Sequence, residues 1–160
     1  MVRIRNYQAS DDKALWEIFF HTVRNVNVRD YSQQQVEAWA PSSFDFALWQ
    51  KRMNGLQPFV AELDGCVVGY TDLQPSGLID HFFCHHEYQG KGVGKALMEH
   101  VFTVGRVRCI SRYFSEVSIT ARPFYEHLGF KVVNEQEVEM RGVKLTNYVM
   151  EKVVEDRKGS

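Results

Sequence analysis

Cysteine is scarce in this chain of 160 residues, and long apolar runs are absent from it. The three cysteines are Cys66, Cys84 and Cys109. Their number is odd and no two are spaced as Cys-x-x-Cys, which argues against a disulfide framework and against a zinc site. No stretch approaches the roughly 18 apolar residues of a membrane span, and no apolar core of a signal peptide follows the N-terminus. These absences favour a cytoplasmic protein with no membrane partner.

An excess of charge of either sign is also missing. Lys and Arg number 19 against 20 Asp and Glu, so the net charge is −1. A near-neutral chain lacks the basic surface of nucleic-acid-binding proteins, and we expect no nucleic-acid partner. The hydrophobic fraction of 44% is ordinary for a globular protein and excludes a disordered chain. Length predicts a single domain over residues 1–154, followed by a polar tail at 155–160.

Hydrophobic periodicity divides the rest of the chain into helices and strands. An alternating strand at 2–7 precedes an amphipathic helix whose apolar stripe runs through 15–26. Short helices are expected at 32–40 and 44–53, the second ended by Asn54-Gly55. The remaining predictions are strands at 59–63, 66–73, 78–85, 114–119, 130–138 and 143–153, a helix beginning near Lys95 and a short helix at 123–128. This pattern predicts an α+β or mixed α/β domain of about seven strands and four helices.

A glycine-rich loop, Gln89-Gly90-Lys91-Gly92-Val93-Gly94-Lys95, joins a predicted strand to a predicted helix. Glycine lets backbone N–H groups approach an anion closely, and a helix N-terminus adds unpaired donors. The loop is not a P-loop, because Ala96 follows Lys95, and it lacks the last glycine of a dinucleotide fingerprint. We interpret it as a pyrophosphate cradle to which Lys91 and Lys95 add charge. The alternative is a glycine-rich turn without a ligand.

Two segments, 89–94 and 121–130, resemble the GNAT superfamily of N-acetyltransferases. The first matches the Q/R-x-x-G-x-G/A signature of that family, and the second its A-x-x-F-Y-x-x-x-G-F segment. Residues 79–88 look like the family's fourth strand and its exit loop. The resemblance implies a mixed, mostly antiparallel seven-stranded sheet with about four helices, splayed between strands 4 and 5. The pantetheine of acetyl-CoA inserts at that splay.

The resemblance also implies acetyl-CoA as co-substrate, without a metal. The residues it assigns to co-substrate binding are Phe83, Cys84, Gln89, Gly90, Lys91, Gly92, Val93, Gly94, Lys95 and Ser118. Ser118 departs from the family, which often has Asn at this position, so the contact is either missing or made by a hydroxyl. The backbone N–H of Cys84 is expected beside the thioester carbonyl, where a fixed donor stabilises an oxyanion.

Tyr125 matches the tyrosine that the family pattern assigns to protonating the leaving thiolate, a task that a phenol can perform. Its alternative role is packing on the sheet.

The sequence does not decide which group acts as the general base. His81 has a suitable intrinsic pKa, Asp80 can act directly or through water, and an ordered water can also relay the proton. Strand alternation predicts that Ile79, His81 and Phe83 share one face.

Two other readings of this region are set aside. His81, His85, His86 and Glu87 invite a metal site, but they fall on a strand and its exit loop, where the helical i, i+4 convergence does not apply. We therefore predict no metal. Cys84 could act as a nucleophile, but a lone thiol in an apolar strand is more often inert packing.

Aromatic residues are concentrated in the first third of the chain, where all three tryptophans lie (Trp16, Trp39 and Trp49, with Phe44 and Phe46 nearby). An aromatic pocket suits a hydrophobic or cationic small molecule. Together with the family resemblance, this distribution predicts an acetyl-CoA-dependent N-acetyltransferase that acetylates a primary amine of a small molecule by direct attack in a ternary complex. The alternative is a non-catalytic acetyl-CoA- or CoA-binding sensor or interaction module. Exposed terminal strands are compatible with a homodimer.

Overall fold

The computed structural model describes residues 1–154, so the polar tail predicted at 155–160 lies outside the described residues. The strands in this range are β1 (Val2–Asn6), β2 (Phe59–Leu63), β3 (Cys66–Thr71), β4 (Phe82–Cys84), β5 (Arg112–Ser118), β6 (Lys131–Met140) and β7 (Val143–Val153). The α-helices are α1 (Asp12–Asn25), α2 (Gln33–Trp39), α3 (Phe46–Leu56), α4 (Val93–Val107) and α5 (Arg122–His127). The predicted mixed α/β class with seven strands is confirmed, and five α-helices replace the expected four.

The strands form two antiparallel sheets, in the orders β1-β2-β3-β4 and β5-β7-β6. The sheets meet at a parallel bridge between Leu78 and Phe114, where the Ile79 N–H donates to the Phe114 carbonyl at 2.8 Å. Beyond this bridge β4 and β5 belong to different sheets. The predicted splay between strands 4 and 5 is therefore present.

The strand predicted at 78–85 is much shorter, because β4 comprises only Phe82–Cys84. The buried Asp72 carboxylate accepts hydrogen bonds from the N–H groups of Asp80 (3.1 Å) and His81 (2.6 Å). These bonds replace strand pairing just before β4. The prediction that Ile79 shares a face with His81 is wrong, because Ile79 packs with Met98 and the buried residues around it.

Helix α3 extends beyond its predicted end at Asn54-Gly55 and finishes at Leu56. Gln57 adopts the left-handed conformation with φ 49° and its N–H donates to the Met53 carbonyl, so it ends the helix in the manner usually supplied by glycine. The Gln57 side chain also donates to the Asn54 carbonyl at 2.8 Å. A local hydrogen bond thus offsets the unfavourable backbone conformation.

Helices cover both faces of the first sheet. Adjacent residues on β2 point in opposite directions: Val60 lies in one core cluster with Leu15 and Trp49, while Ala61 lies in another with Leu97. Helices α1 and α3 therefore pack on one face and α4 on the other. Each large side chain buried in these clusters contributes roughly 1.5–3 kcal/mol through removal of apolar area from water. None of the helices in residues 1–154 combines the length and the apolar character needed to cross a bilayer.

Candidate active site

A cleft of about 890 Å³ lies at the splay between the two sheets. One end of the cleft, the glycine end, is formed by Tyr88, Gln89, Gly90, Gly92, Val93, Gly94 and Lys95. The other end, the aromatic end, is formed by Trp16, Phe19, Trp39, Phe44, Trp49 and Phe83. The cleft is thus continuous from the start of α4 to the aromatic side chains carried by the N-terminal helices.

The glycine end is an open backbone cradle. Gly90 and Gly92 have φ values of 76° and 81°, and a Cβ atom on either residue would find no heavy atom within 4 Å. Side chains at these positions would be strained and would fill the space in front of α4. Gly92 is the N-cap of α4, so the N–H groups of the first helical turn face this space without intrahelical partners. This arrangement suits a pyrophosphate group.

Strand β4 presents backbone donors to the gap between the sheets. Phe83 lies opposite Tyr70 of β3, and the His85 N–H donates to the Val68 carbonyl at 2.7 Å. Because N–H groups alternate in direction along a strand, those of Phe82 and Cys84 point away from β3 toward the gap. The Cys84 N–H therefore has the direction expected of an oxyanion donor.

The remaining residues predicted for the glycine loop have different surroundings. Gln89 folds back and donates to the carbonyls of Cys84 (3.0 Å) and His85 (3.3 Å), which fastens the loop to β4. Lys95 lines the cleft and lies 3.9 Å from the Glu99 carboxylate. Lys91 is exposed and does not line the cleft.

Ser118 lines the cleft within a small polar network that the sequence did not reveal. Its hydroxyl accepts hydrogen bonds from the buried Asn27 amide (3.2 Å) and from the Ala121 N–H (3.0 Å). The Thr120 hydroxyl is buried at the same cleft without a hydrogen-bond partner within residues 1–154. Asn27 and Thr120 therefore add polar atoms beside the position where the family often has Asn.

Tyr125 lines the cleft and is only 2% exposed. Its ring lies 5.8 Å from that of Phe82 on β4. Burial raises the pKa of Tyr125 well above its usual value, and the neighbouring Ser115 side chain opposes this shift through hydrogen bonding. The phenol is therefore protonated at neutral pH, as a hydrogen-bond donor must be.

His81 lies at the aromatic end, and its Nδ1 is 3.0 Å from the Tyr70 hydroxyl. The imidazole is packed among the rings of Phe19, Trp49 and Phe83 at centroid distances of 6.1, 6.1 and 5.9 Å. Burial lowers the pKa of His81 to about 4, so the ring is neutral at pH 7.

Asp72 and Asp80 both lie in the connection between β3 and β4, but they differ in exposure to solvent. The Asp80 side chain is exposed and lines the cleft. The Asp72 side chain is buried, and burial raises its pKa to about 6. Asp72 fixes the backbone of His81, a role that sequence inspection missed. The sequence feature that could have indicated this role is a single carboxylate at the end of an apolar strand.

The Cys84 thiol is nearly inaccessible, and burial raises its pKa to about 12. A thiol in this state is a poor nucleophile at neutral pH, because the thiolate is the reactive form. Residues 1–154 contain no group of three or more His, Cys, Asp or Glu side chains arranged to hold a metal ion.

Aromatic side chains from separate helices meet at the aromatic end. Trp16 on α1 stacks on Phe44 at 5.0 Å and meets Trp49 of α3 edge-on at 5.2 Å. The Trp49 indole donates to the Asp12 carbonyl at 2.8 Å, which fixes α3 against α1. Trp39 also lines the cleft, whereas Phe46 is 37% exposed and does not.

A splayed antiparallel fold with a glycine cradle at the start of a helix defines an acetyltransferase architecture. Residues 27–152 match the family described as acetyltransferase (GNAT) domain. The chain is 35% identical over 149 residues to the uncharacterized N-acetyltransferase YafP of Escherichia coli K12, covering 93% of this chain and 94% of that protein. The chain belongs to the GNAT family and is an N-acetyltransferase. The prediction of an N-acetyltransferase is confirmed.

Solved structures agree with this assignment. A GCN5-related N-acetyltransferase structure from Rhodopseudomonas palustris superposes with a TM-score of 0.90 at 28% identity, covering 95% of each chain. YncA from Salmonella typhimurium, solved with its cofactor acetyl-CoA, superposes with a TM-score of 0.71 at 19% identity, covering 98% of this chain and 96% of that one. At 19% identity, the likeness to YncA shows a shared fold.

Proposed function

We propose that this enzyme transfers the acetyl group of acetyl-CoA to a primary amine of a small molecule by direct attack in a ternary complex. The observation that carries the proposal is the single cleft joining the glycine end to the aromatic end. A continuous cleft accommodates both reactants at once, so that no acetyl-enzyme is needed. The inert surroundings of the Cys84 thiol also argue against a covalent route.

The co-substrate would bind with its pyrophosphate at the loop from Gly90 to Gly94, where the backbone at Gly90 and Gly92 borders open space and the first N–H groups of α4 are unpaired. The open backbone around Gly90 and Gly92 fits this group, because any side chain would fill the cradle. The pantetheine arm would then pass along the N–H groups of β4. Ser118 would contact the arm through its hydroxyl, within the network shared with Asn27.

The chemical step would use a neutral amine, which attacks the thioester carbonyl carbon and forms the new C–N bond. The Cys84 N–H would stabilise the oxyanion, because a fixed donor needs no reorganisation. Collapse breaks the C–S bond, and Tyr125 would donate a hydrogen bond to the departing sulfur. The base takes one proton from the amine nitrogen, and one proton passes to the thiolate from Tyr125 or from water, so that the amide and the thiol of CoA are the products.

The base in this proposal is either Asp80 or His81, each directly or through water. Because burial lowers the pKa of His81 to about 4, the neutral ring can accept a hydrogen bond from the amine N–H but is a weak base. The Asp80 carboxylate is open to the cleft and to solvent. Comparison of His81→Gln with Asp80→Asn in pH–rate profiles separates them, since only loss of the true base removes the rising limb.

The test of the proposed function combines ligand-induced stabilisation with turnover. Acetyl-CoA at about 100 times its dissociation constant should stabilise the protein by roughly 2.7 kcal/mol, measured as a rise in melting temperature. Release of the free CoA thiol is then followed with a panel of primary amines. Stabilisation without amine-dependent thiol release would contradict acetyl transfer to small amines, and no stabilisation would contradict co-substrate binding at the cradle.

The proposal also includes a cytoplasmic location and a homodimer. Cys66, Cys84 and Cys109 are all free thiols, which fits a reducing compartment. Strand β6 forms one edge of its sheet and offers unpaired backbone groups to a second copy. Light scattering at micromolar concentration should give twice the mass of the 18.6 kDa chain, and a monomer mass would contradict the dimer.

A further inference from the structure

Six charged side chains line the cleft outside the glycine end. They are the arginines Arg29, Arg52 and Arg141 and the carboxylates Asp80, Glu116 and Glu139. Every salt bridge within residues 1–154 involves other charged groups. Charges of both signs therefore face one cleft without neutralising each other. They are available to a ligand that carries both signs itself.

Arg52 holds the most informative position among these groups. It follows Trp49 by three residues on α3, so the two side chains share a face of the helix. The Trp49 ring lies 6.1 Å from His81, which brings Arg52 to the aromatic end of the cleft. Within the described chain the Arg52 guanidinium makes no side-chain hydrogen bond.

Opposite charges flank His81. Arg52 lowers the pKa of His81 and Asp80 raises it, although burial is the largest influence. Both charged groups therefore lie near the imidazole, one offering a guanidinium and the other a carboxylate. A ligand seated against His81 would lie near both a cation and an anion.

Arg141 marks the far edge of the aromatic end. Its Nη1 donates to the Ala38 carbonyl at 2.7 Å, and its guanidinium lies 5.6 Å from the centre of the Phe44 ring. The Phe44 ring in turn stacks on Trp16. Arg141 therefore lies beside the aromatic surface, and Arg52 lies near His81.

We propose that the acceptor is a zwitterionic amine: an aromatic or apolar body bearing a primary amine and, a few atoms away, a carboxylate. The inference rests on the proposed acetyl transfer and names its substrate class. Arg52 would bind the carboxylate, because a guanidinium matches carboxylate geometry with two parallel hydrogen bonds. Asp80 would attract the ammonium group before it loses its proton, and Trp16 and Phe44 would hold the body.

A purely cationic acceptor fits this cleft less well. A polyamine would bring positive charge to Arg29, Arg52 and Arg141 and offer no partner to any of them. Like charges that face each other in a partly desolvated cleft disfavour binding. The zwitterion satisfies both signs with one small molecule.

The test uses matched pairs of amines that differ only in the carboxylate: L-phenylalanine with phenethylamine, and L-tryptophan with tryptamine. Release of CoA thiol from acetyl-CoA gives kcat/KM for each. We expect the carboxylate-bearing member of a pair to be favoured by about tenfold or more, as for a hydrogen bond to a charged group. Arg52→Gln should reduce that preference to within about twofold, mainly through KM.

Lys51→Gln is the matched control, because Lys51 is exposed on the same helix and does not line the cleft. It should retain the full preference. A rise in melting temperature with acetyl-CoA that equals the wild-type rise shows that Arg52→Gln is folded and binds the co-substrate.

Four outcomes are decisive. Preference for the amino acids that is lost only in Arg52→Gln supports the proposal. Equal or better turnover of phenethylamine and tryptamine overturns the proposal but leaves acetyl transfer to small amines intact. Absence of turnover with all four compounds, while other primary amines are acetylated, also overturns it. Absence of turnover with every primary amine rejects the proposed function itself.

Discussion

The two ends of the cleft are built in different ways. The glycine end comes from one continuous segment, 88–95, and presents backbone N–H groups at positions where glycine leaves open space. The aromatic end gathers side chains from α1, α2, α3 and β4. A diphosphate can be recognised by backbone alone, whereas the shape and charge of an acceptor must be matched by side chains. Because different segments form the two ends, a substitution at one end can leave the other end unchanged.

The junction between the two ends is where the reacting atoms would meet. Tyr125 approaches β4 from α5, and His81 approaches it from the opposite side with Phe19 and Trp49. Burial acts on both groups in the direction that keeps them neutral, raising the pKa of Tyr125 and lowering that of His81. Both groups are therefore neutral at pH 7, although the charged side chains of Arg52 and Asp80 lie close to His81.

The largest effect is expected at this junction. Tyr125→Phe should lower kcat by about 10²–10³, because loss of a positioned proton donor costs a rate factor of this order. Co-substrate affinity, measured by calorimetry, should stay within about twofold of wild type. Tyr113→Phe is the matched control, since Tyr113 is equally buried but does not line the cleft. Equal kcat for Tyr125→Phe and wild type would remove the assigned role.

At the glycine end, Gly92→Val should weaken acetyl-CoA binding by about a hundredfold, since a branched side chain at φ 81° is strained and fills the cradle. Gly65→Val is matched to it: Gly65 has φ 80°, equal open space and a place in the β2–β3 hairpin away from the cleft. Both variants should lose similar stability. If both retain wild-type affinity for acetyl-CoA by calorimetry, the cradle is not the binding site.

At the aromatic end, Trp16→Leu should raise KM for the acceptor by about fivefold, because a stacked aromatic partner is worth about 1 kcal/mol beyond its buried area. The dissociation constant for acetyl-CoA should not change. Steady-state kinetics with the amine varied, together with calorimetry for acetyl-CoA, gives both quantities. A parallel loss of acetyl-CoA affinity would show that the two ends are not independent.

The smallest expected effect is on stability and concerns His81. Its folded-state pKa of about 4 lies below the ordinary value near 6.5, so the neutral, buried ring contributes stability above pH 6.5 that is lost as pH falls toward 4. Compared with His81→Gln, the wild type should lose on the order of 2 kcal/mol over this window. Urea denaturation at pH 7.0 and pH 4.5 measures the difference.

Asp72 acts with the opposite sign in the same window. Burial raises the pKa of Asp72 to about 6. Its protonated form therefore adds to the free energy of unfolding at low pH, and this stabilisation is lost as the pH rises through 6. Because Asp72 is present in both proteins of the His81 comparison, its contribution cancels in the difference. A wild-type-minus-variant stability that does not change between the two pH values would contradict the burial of a neutral His81.

Sequence patterns predicted local features well. The helix predicted at 32–40 is capped at its start by Ser32 and Gln35, and the strands predicted at 59–63 and 66–73 are joined by a turn at Asp64-Gly65; both features depend on neighbouring residues only. The glycine loop belongs to the same category, since its spacing and the helix that follows are both visible in one short segment. The turn and the glycine loop depend on left-handed backbone conformations that glycine, asparagine and aspartate adopt most easily, and the cap depends on the Ser32 hydroxyl.

Long-range hydrogen bonds explain where local reasoning was wrong. Alternation predicted a long strand at 78–85, but Asp72 captures the N–H groups of Asp80 and His81 and leaves only Phe82–Cys84 in the sheet. A carboxylate that reaches across a loop leaves no periodic trace in the segment it binds. The Asn27 amide, which donates to the Ser118 hydroxyl on β5, likewise produces no periodic pattern in the segment that it contacts.

The sequence by itself determined the family, the order of elements and the glycine cradle, because each is carried by contiguous residues with restricted backbone conformations. Tertiary structure alone brought together the aromatic and charged side chains of the aromatic end. Trp16, Arg52, His81 and Arg141 are far apart in the chain and meet only through the packing of the N-terminal helices and the β6–β7 hairpin on the splayed sheet. Packing contacts and unpaired charges depend on all of these elements at once, so no local pattern could predict them.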